Sequence, residues 1–230
     1  MNRPVGPGAE AGAPVLHVPD SVERDELAGF VARVVQLDAT SVVRLRAAEQ
    51  RVVAWASTPF EVLATRAVTG QLFPVDLTVP ASELLAALAV VRHAEVDPGS
   101  RADARWRAEL PPAHGWLVVG ELPAGELAAL ADEGLARARE HGGTHGHGGE
   151  APLPPGELMD QTSCTAEGNG ARVDVPLRCL FTLSGLGLLA GGGGADRIAV
   201  STTEDGGWVR LDTPGAAVVR RRRALLPLVF

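Results

Sequence analysis

The chain has 230 residues, 46% hydrophobic and 21% charged, with a formal net charge of −7. That length suits one large or two small domains, and the acidity excludes a chain-wide basic footprint for nucleic acid. Two cysteines, Cys164 and Cys179, exclude a disulfide framework, and the longest apolar run, residues 180–190, is too short and glycine-broken to span a bilayer. Lysine and tyrosine are absent and isoleucine occurs once, which reads as the imprint of a GC-rich, actinobacterial genome. No apolar signal-peptide core opens the chain, so a cytoplasmic protein with reduced thiols is expected.

Residues 1–13 are rich in Gly, Pro and Ala and read as a disordered tail. A strand at 15–18 ends on Val18-Pro19. Asp20 then offers an N-cap with Glu23 three positions later, and Leu27, Phe30, Val31, Val34 and Val35 form the buried stripe of a helix. Three strands follow at 41–46, 51–57 and 60–68, parted by Ala48-Glu49-Gln50 and Thr58-Pro59. Val79-Pro80 switches the chain from strand to helix, because the residue before proline is held extended and proline suits a first helical turn. The helix runs over 81–92. Leu122-Pro123-Ala124-Gly125-Glu126-Leu127 nearly copies Val79-Pro80-Ala81-Ser82-Glu83-Leu84 and opens a helix over 124–140. Between these helices lie extended segments at 104–109 and 116–121. Residues 141–156 have no periodicity and read as a loop or linker between an N-terminal part, 14–140, and a C-terminal part, 157–230, packed as one body. A strand at 158–165, an Asn169-Gly170 hairpin turn, a strand at 172–175, a helix over 177–189 and strands at 197–202, 208–212 and 216–222 complete the chain.

An α+β fold follows, mostly antiparallel sheet with helices packed on it. Sliding residues 43–66 onto 198–221 without gaps brings Glu49 onto Glu204 and Thr58-Pro59 onto Thr213-Pro214, which suggests internal duplication of a strand–helix–three-strand unit. Used twice, that unit resembles the architecture of sliding DNA clamps in topology.

Several clusters could carry chemistry. His141, His145 and His147 have a spacing that can coordinate zinc, nickel or copper, yet glycines surround them and no ordered carboxylate completes the shell. Arg220, Arg221, Arg222 and Arg223 could contact phosphate, alongside Arg44, Arg46 and Arg210. The competing reading places them at the end of an edge strand, where charge blocks edge-to-edge pairing. Trp106 and Trp116 flank Leu110-Pro111-Pro112 on neighbouring strands and are candidates for an interface, with Trp55 and Trp208 on equivalent second strands. The glycines at 185, 187 and 191 mimic a dinucleotide loop but leave no room for the helix such a loop must open, so they fit a helix C-terminus. Cys179 sits on an apolar stripe, as a small hydrophobe does. No catalytic constellation is legible and no cofactor is expected. The sequence therefore points to a cytoplasmic, non-enzymatic interaction or assembly protein with a protein partner or self-association and no membrane. The alternative is a nucleic-acid-associated regulator using the Arg-rich C-terminal patch; a metal-binding protein or an enzyme ranks third.

Overall fold

Four apolar-Pro steps each mark the start of a helix. The computed structural model describes residues 12–90, 93–142, 156–189 and 196–222. Strand β1 (Val15–His17) leads through Val18-Pro19 into α1 (Ser21–Leu37), and β6 (Asp76–Pro80) leads directly into α2 (Ala81–Val90). Likewise β8 (Trp116–Pro123) runs into α3 (Ala124–Gly142), and β10 (Ala171–Pro176) into α5 (Leu177–Gly185). The Asp20 carboxylate caps α1 by accepting from the N–H groups of Val22 at 2.7 Å and Glu23 at 3.3 Å. Glu23 does not reach back to complete the box; its carboxylate accepts from Thr69 and ties α1 to the sheet.

Strands β2 (Val42–Ala48), β3 (Arg51–Ser57) and β4 (Leu63–Thr69) form one antiparallel meander. Strands β11 (Arg197–Thr203), β12 (Trp208–Thr213) and β13 (Ala216–Arg221) form another. The two meanders join where β4 pairs with β13, giving an eight-stranded sheet in the order β6-β2-β3-β4-β13-β12-β11-β8. That order reads the same from either end once β6 is equated with β8 and β2 with β11. The equivalence extends to single hydrogen bonds: Ala81 N–H donates to Ser41 O at 3.0 Å, and Ala124 N–H to Asp196 O at 2.9 Å. Val79 faces Val43 as Leu122 faces Ile198. The duplicated unit is thus β1-α1-β2-β3-β4 and β10-α5-β11-β12-β13, with the two shorter strand–helix units between them.

The ungapped alignment of the two meanders holds for β2 on β11 but slips on the next strand. Val43 faces Ala56, whereas Ile198 lies level with Thr213, because the β11–β12 turn is the longer one. Thr58 and Thr213 nonetheless do the same work. Thr58 Oγ1 donates to Val62 O at 2.8 Å and Thr213 Oγ1 to Ala216 O at 3.0 Å, closing their respective turns.

The helices cover one face of the sheet. Strand alternation aims Val43, Leu45, Ala54, Ala64, Val200, Leu211 and Val218 at them, all fully buried, in one apolar core shared by both halves. Helix α1 packs on α2 and α3 on α5. Helix α5 is buried from Leu177 to Leu183, and Gly185 approaches α1 so closely that a Cβ there would lie 2.8 Å from Leu37 Cδ2. It ends at Gly185, short of residue 189, because Gly187 takes φ +63° and turns the chain.

Smaller sheets flank this body. Short strands β5 (Gln71–Phe73) and β7 (Glu95–Val96) sandwich β1, and β9 (Thr162–Gly168) pairs with β10 through a turn in which Asn169 and Gly170 both have positive φ. Residues 158–159 are helical, in α4 (Gly156–Met159), since one turn buries both Leu158 and Met159 where a strand would expose one. Residues 104–109 form no strand either: a 3-10 turn (Asp103–Arg105) precedes irregular chain.

Two groups of contacts close the sheet's outer edges. Along β6, Thr78 N–H donates to the Asp103 carboxylate at 2.7 Å and Ala102 N–H donates to Thr78 O at 2.7 Å. Along β8, the Asn169 amide donates to Val118 O at 2.8 Å, and Gly168 approaches Val119 O so closely that no Cβ would fit. Covered edges resist pairing with another chain.

Among the described residues two charges are buried on the helices, Arg24 on α1 and Arg178 on α5. Arg178, on α5 and 2% exposed, donates to Phe60 O at 2.8 Å and to the Glu61 carboxylate at 3.0 Å, both on the β3–β4 loop of the other half. It also meets Asp160 at 2.7 Å, as does Arg220. Burial raises the Asp160 pKa, but the two guanidiniums outweigh it and hold the carboxyl below its ordinary value. A depressed folded pKa stabilises above the unfolded carboxylate range and is lost as pH falls through the folded value. Asp160→Asn is therefore expected to lower stability by about 1–2 kcal/mol at neutral pH, discounted for the partial exposure of Asp160, and to flatten the loss of stability below about pH 4 in urea titrations. Leu180→Ala and Leu183→Ala should each cost roughly 2–5 kcal/mol in the same titrations, and Val90→Ala on the exposed end of α2 less than about 0.5.

Candidate functional site

The face of the sheet turned away from the helices has to be covered by something else. Residues 97–115, joining the two halves, cross it as a strap. Under the strap, Leu63, Trp208 and Val219 are buried, with Trp55, Trp106, Ala108, Leu110 and Trp116 packed against them. Trp106 sits on the strap rather than on a strand, so the pair expected on neighbouring strands is a strap residue and the first residue of β8. Each indole N–H stays within the strap: Trp106 donates to Ala108 O at 2.6 Å and Trp116 to Pro112 O at 3.0 Å. Trp55 and Trp208 do lie on the equivalent second strands, β3 and β12.

Arginines hold the tryptophans from the sheet side. The Arg44 guanidinium lies 5.9 Å from the Trp106 ring centre, and Arg210 lies 5.8 Å from that of Trp116. Arg44 makes a two-pronged pair with Asp76, at 2.8 and 2.7 Å, and Arg46 adds a contact at 3.3 Å. Hydrogen bonding from Arg44 holds the Asp76 carboxyl below its usual range. Arg210 donates to Asp212 at 2.7 Å.

The strap covers only part of this face. Beside it, over the β4–β13 junction, lies a groove of about 560 Å³. Trp55 and Thr65 line its floor, residues 110–114 and Trp116 its wall, and Arg46, Arg51 and Arg210 its rim. Among the described residues Asp212 is the one carboxylate lining it and pairs with Arg210, and Arg46 meets Asp76 just outside it, so three guanidiniums stand against two carboxylates on a chain of net charge −7. Thr65 is 5% exposed, and its hydroxyl has no hydrogen-bond partner among the described residues. Such a surface can recognise a negatively charged, partly apolar group.

The Arg run does not make a patch. Strand alternation sends Arg220 to the helix side, where it meets Asp160, and Arg221 to the outer side, where it pairs with Glu109. Arg222 donates to Gly206 O at 3.5 Å, and Arg223 lies outside the described residues. Nor is β13 an edge strand: it pairs with β12 along its length and with β4 over residues 216–219, and Arg220 and Arg221 follow directly after the β4 pairing. The helical layer is acidic: α1, α2 and α3 as far as Arg139 carry seven carboxylates against four arginines, a field that repels a phosphate backbone.

The histidine cluster is only partly in view. His141 falls on the last turn of α3, and His145 and His147 lie outside the described residues. Among the described residues no group of three or more His, Cys, Asp or Glu side chains could hold a metal ion. Cys179 is fully buried, which pushes its thiol up to about 12, and burial also raises that of the half-buried Cys164. Neither thiol is activated.

The groove was only partly foreseeable. Arg46, Arg210, Trp55 and Trp116 stood out in the sequence, but Arg51 and Thr65 did not. The signal was the alternation of polar and apolar residues on β3 and β4, which marks a second face that also needs covering.

Comparisons with known proteins fit this architecture. No curated protein matches the chain. Among solved structures it is similar to the DNA polymerase sliding clamp from Caulobacter crescentus, with 15% identity, a TM-score of 0.55, and 93% of this chain covering 67% of that one. A second structure of Caulobacter crescentus pol III beta gives 16% identity, a TM-score of 0.53, and 90% and 64% coverage. A putative DNA polymerase III beta subunit from Eubacterium rectale gives 8% identity, a TM-score of 0.52, and 94% and 66% coverage. The chain thus spans about two thirds of these clamp chains, and at such identities the likeness is one of fold. Residues 12–108 match the domain of unknown function DUF8010 and residues 111–225 the domain of unknown function DUF8185, so the strap falls across the boundary between them. Since the second match takes in half of the chain, the protein belongs to the DUF8185 family.

Proposed function

We propose that the protein is a cytoplasmic, non-enzymatic interaction protein that docks a protein partner on the outer face of its sheet. The observation that carries this is the groove beside the strap: cationic at its rim, floored by tryptophan, with a buried hydroxyl left unpartnered. The other surfaces offer less. Both sheet edges are closed, so strand addition between copies, or to a partner, is disfavoured. No described helix is long and apolar enough to cross a membrane. The clamp-like fold supports an assembly role, since structures with this architecture include DNA polymerase sliding clamps. The acidic helical layer and the paired arginines of β13 weigh against a nucleic-acid regulator.

Affinity capture of the full chain from its host cytoplasm tests this reading through three proteins compared side by side. Arg46→Glu with Arg51→Glu, on the exposed rim, should reduce a co-purifying protein roughly tenfold or more. Asp132→Arg with Glu133→Arg, on α3, should leave it unchanged. Loss with the α3 pair and not with the rim pair would overturn the docking face, and capture abolished by nuclease would restore the nucleic-acid reading.

A further inference from the structure

We propose that the groove receives an extended acidic peptide with an apolar–Pro-Pro centre, the chemistry the strap already presents to the same face. This rests on the docking reading and names its partner. The strap serves as a built-in example. In residues 108–112, Ala-Glu-Leu-Pro-Pro, Glu109 pairs with Arg221 on β13, and Leu110 packs in the cluster around Trp208. The Pro112 carbonyl accepts from the Trp116 indole at 3.0 Å. An acid, an apolar side chain and a proline carbonyl are thus met by a guanidinium, a tryptophan-lined patch and an indole N–H.

Beside the strap the same kinds of partner recur, and no segment among the described residues lies over them. Arg46 and Arg51 stand at one end of the groove and Arg210 at the other, with Trp55 between them. Thr65 supplies a hydroxyl able to donate to a backbone carbonyl. An extended Pro-rich segment suits such a site because it is already ordered before binding and leaves its carbonyls free to accept. The groove's volume also lies within the ~300–1,000 Å³ of built ligand sites.

A single-stranded nucleic acid is also anionic, but it binds by stacking bases on open aromatic faces. Here Arg44 already lies over Trp106 and Arg210 over Trp116. The negative net charge of the chain further disfavours a long polyanion, while a few carboxylates on a short peptide can be matched one by one.

The probe is the peptide acetyl-Glu-Glu-Leu-Pro-Pro-Glu-Glu-amide, titrated into the full chain while tryptophan fluorescence is followed; the peptide has no aromatic residue and the protein has no tyrosine. A saturable change is expected, weakened roughly tenfold by Arg46→Gln with Arg51→Gln at an unchanged melting temperature. The all-Gln version of the peptide should bind at least roughly tenfold more weakly. No saturable change up to ~1 mM peptide overturns the proposal, as does tighter binding of an oligothymidine at the same salt. If the peptide fails while the rim variants still lose their captured partner, the ligand class is wrong and the docking face stands. If both experiments fail, the docking face falls as well.

Discussion

The pairing of β4 with β13 is the constraint on which the rest of the molecule depends. Either meander, with β6 or β8 beside it, would alone be a four-stranded half-sheet with an open edge at β4 or β13. Joining them through four paired positions removes two open edges and lays one core under all eight strands. The join sits between halves whose strand order mirrors across it, so it also fixes where the helices meet. Helix α5 comes to lie against the end of α1, and Arg178 is carried into reach of the β3–β4 loop of the other half. Burying that guanidinium costs free energy that pairing offsets, and here both terminal nitrogens are paired while Nε has no hydrogen-bond partner among the described residues. Its partners are drawn from two separate segments, Phe60–Glu61 and Asp160, so the pairing reports that both are correctly docked.

A sheet with helices on one side leaves a second face to be dealt with. Polar residues could simply have covered it, as in many antiparallel sheets. Here four tryptophans and a strap do part of that work and arginines the rest. The strap spans the face once and cannot cover both halves. Because it follows β7 and precedes β8, it lies across one part of the junction and leaves the adjoining strip open. The groove is therefore a consequence of connectivity: one linker, two half-sheets.

How much of this was legible in the sequence depended on how local the cause was. The strand-to-helix steps at Val18-Pro19, Val79-Pro80, Leu122-Pro123 and Val175-Pro176 were readable because proline acts on its neighbours, and each precedes a helix. The Asn169-Gly170 turn was readable for the same reason. Pairing between distant strands was not: the Arg run on β13 looked like protection for an edge, yet β4, some 150 residues earlier in the sequence, lies beside it. Arg178 was hidden differently. One arginine in an apolar helix leaves the helix reading as buried without naming a partner for the charge, and only the loop that reaches it from the other half supplies one. Trp106 was read as a strand residue because aromatic residues favour strands, and the strap that overrides this preference is set by tertiary context.

The duplication separates residues that hold the fold from residues that are free to specialise. At equivalent positions on β2 and β11, the side chains aimed at the helices are alike: Val43 with Ile198, and Leu45 with Val200. The same holds on β3 and β12 once the register is followed, with Val52 matching Val209 and Ala54 matching Leu211. The outward positions interleaved with them differ completely. Arg44 stands where the other half has Ala199, and Trp55 where it has Asp212. Alternation makes this division possible, because changing an outward residue leaves the inward packing untouched. Packing constrains both halves to the same inner solution, while nothing in the fold requires three arginines and two tryptophans around one groove. That asymmetry on an otherwise repeated scaffold is the physical reason to place function on the outer face.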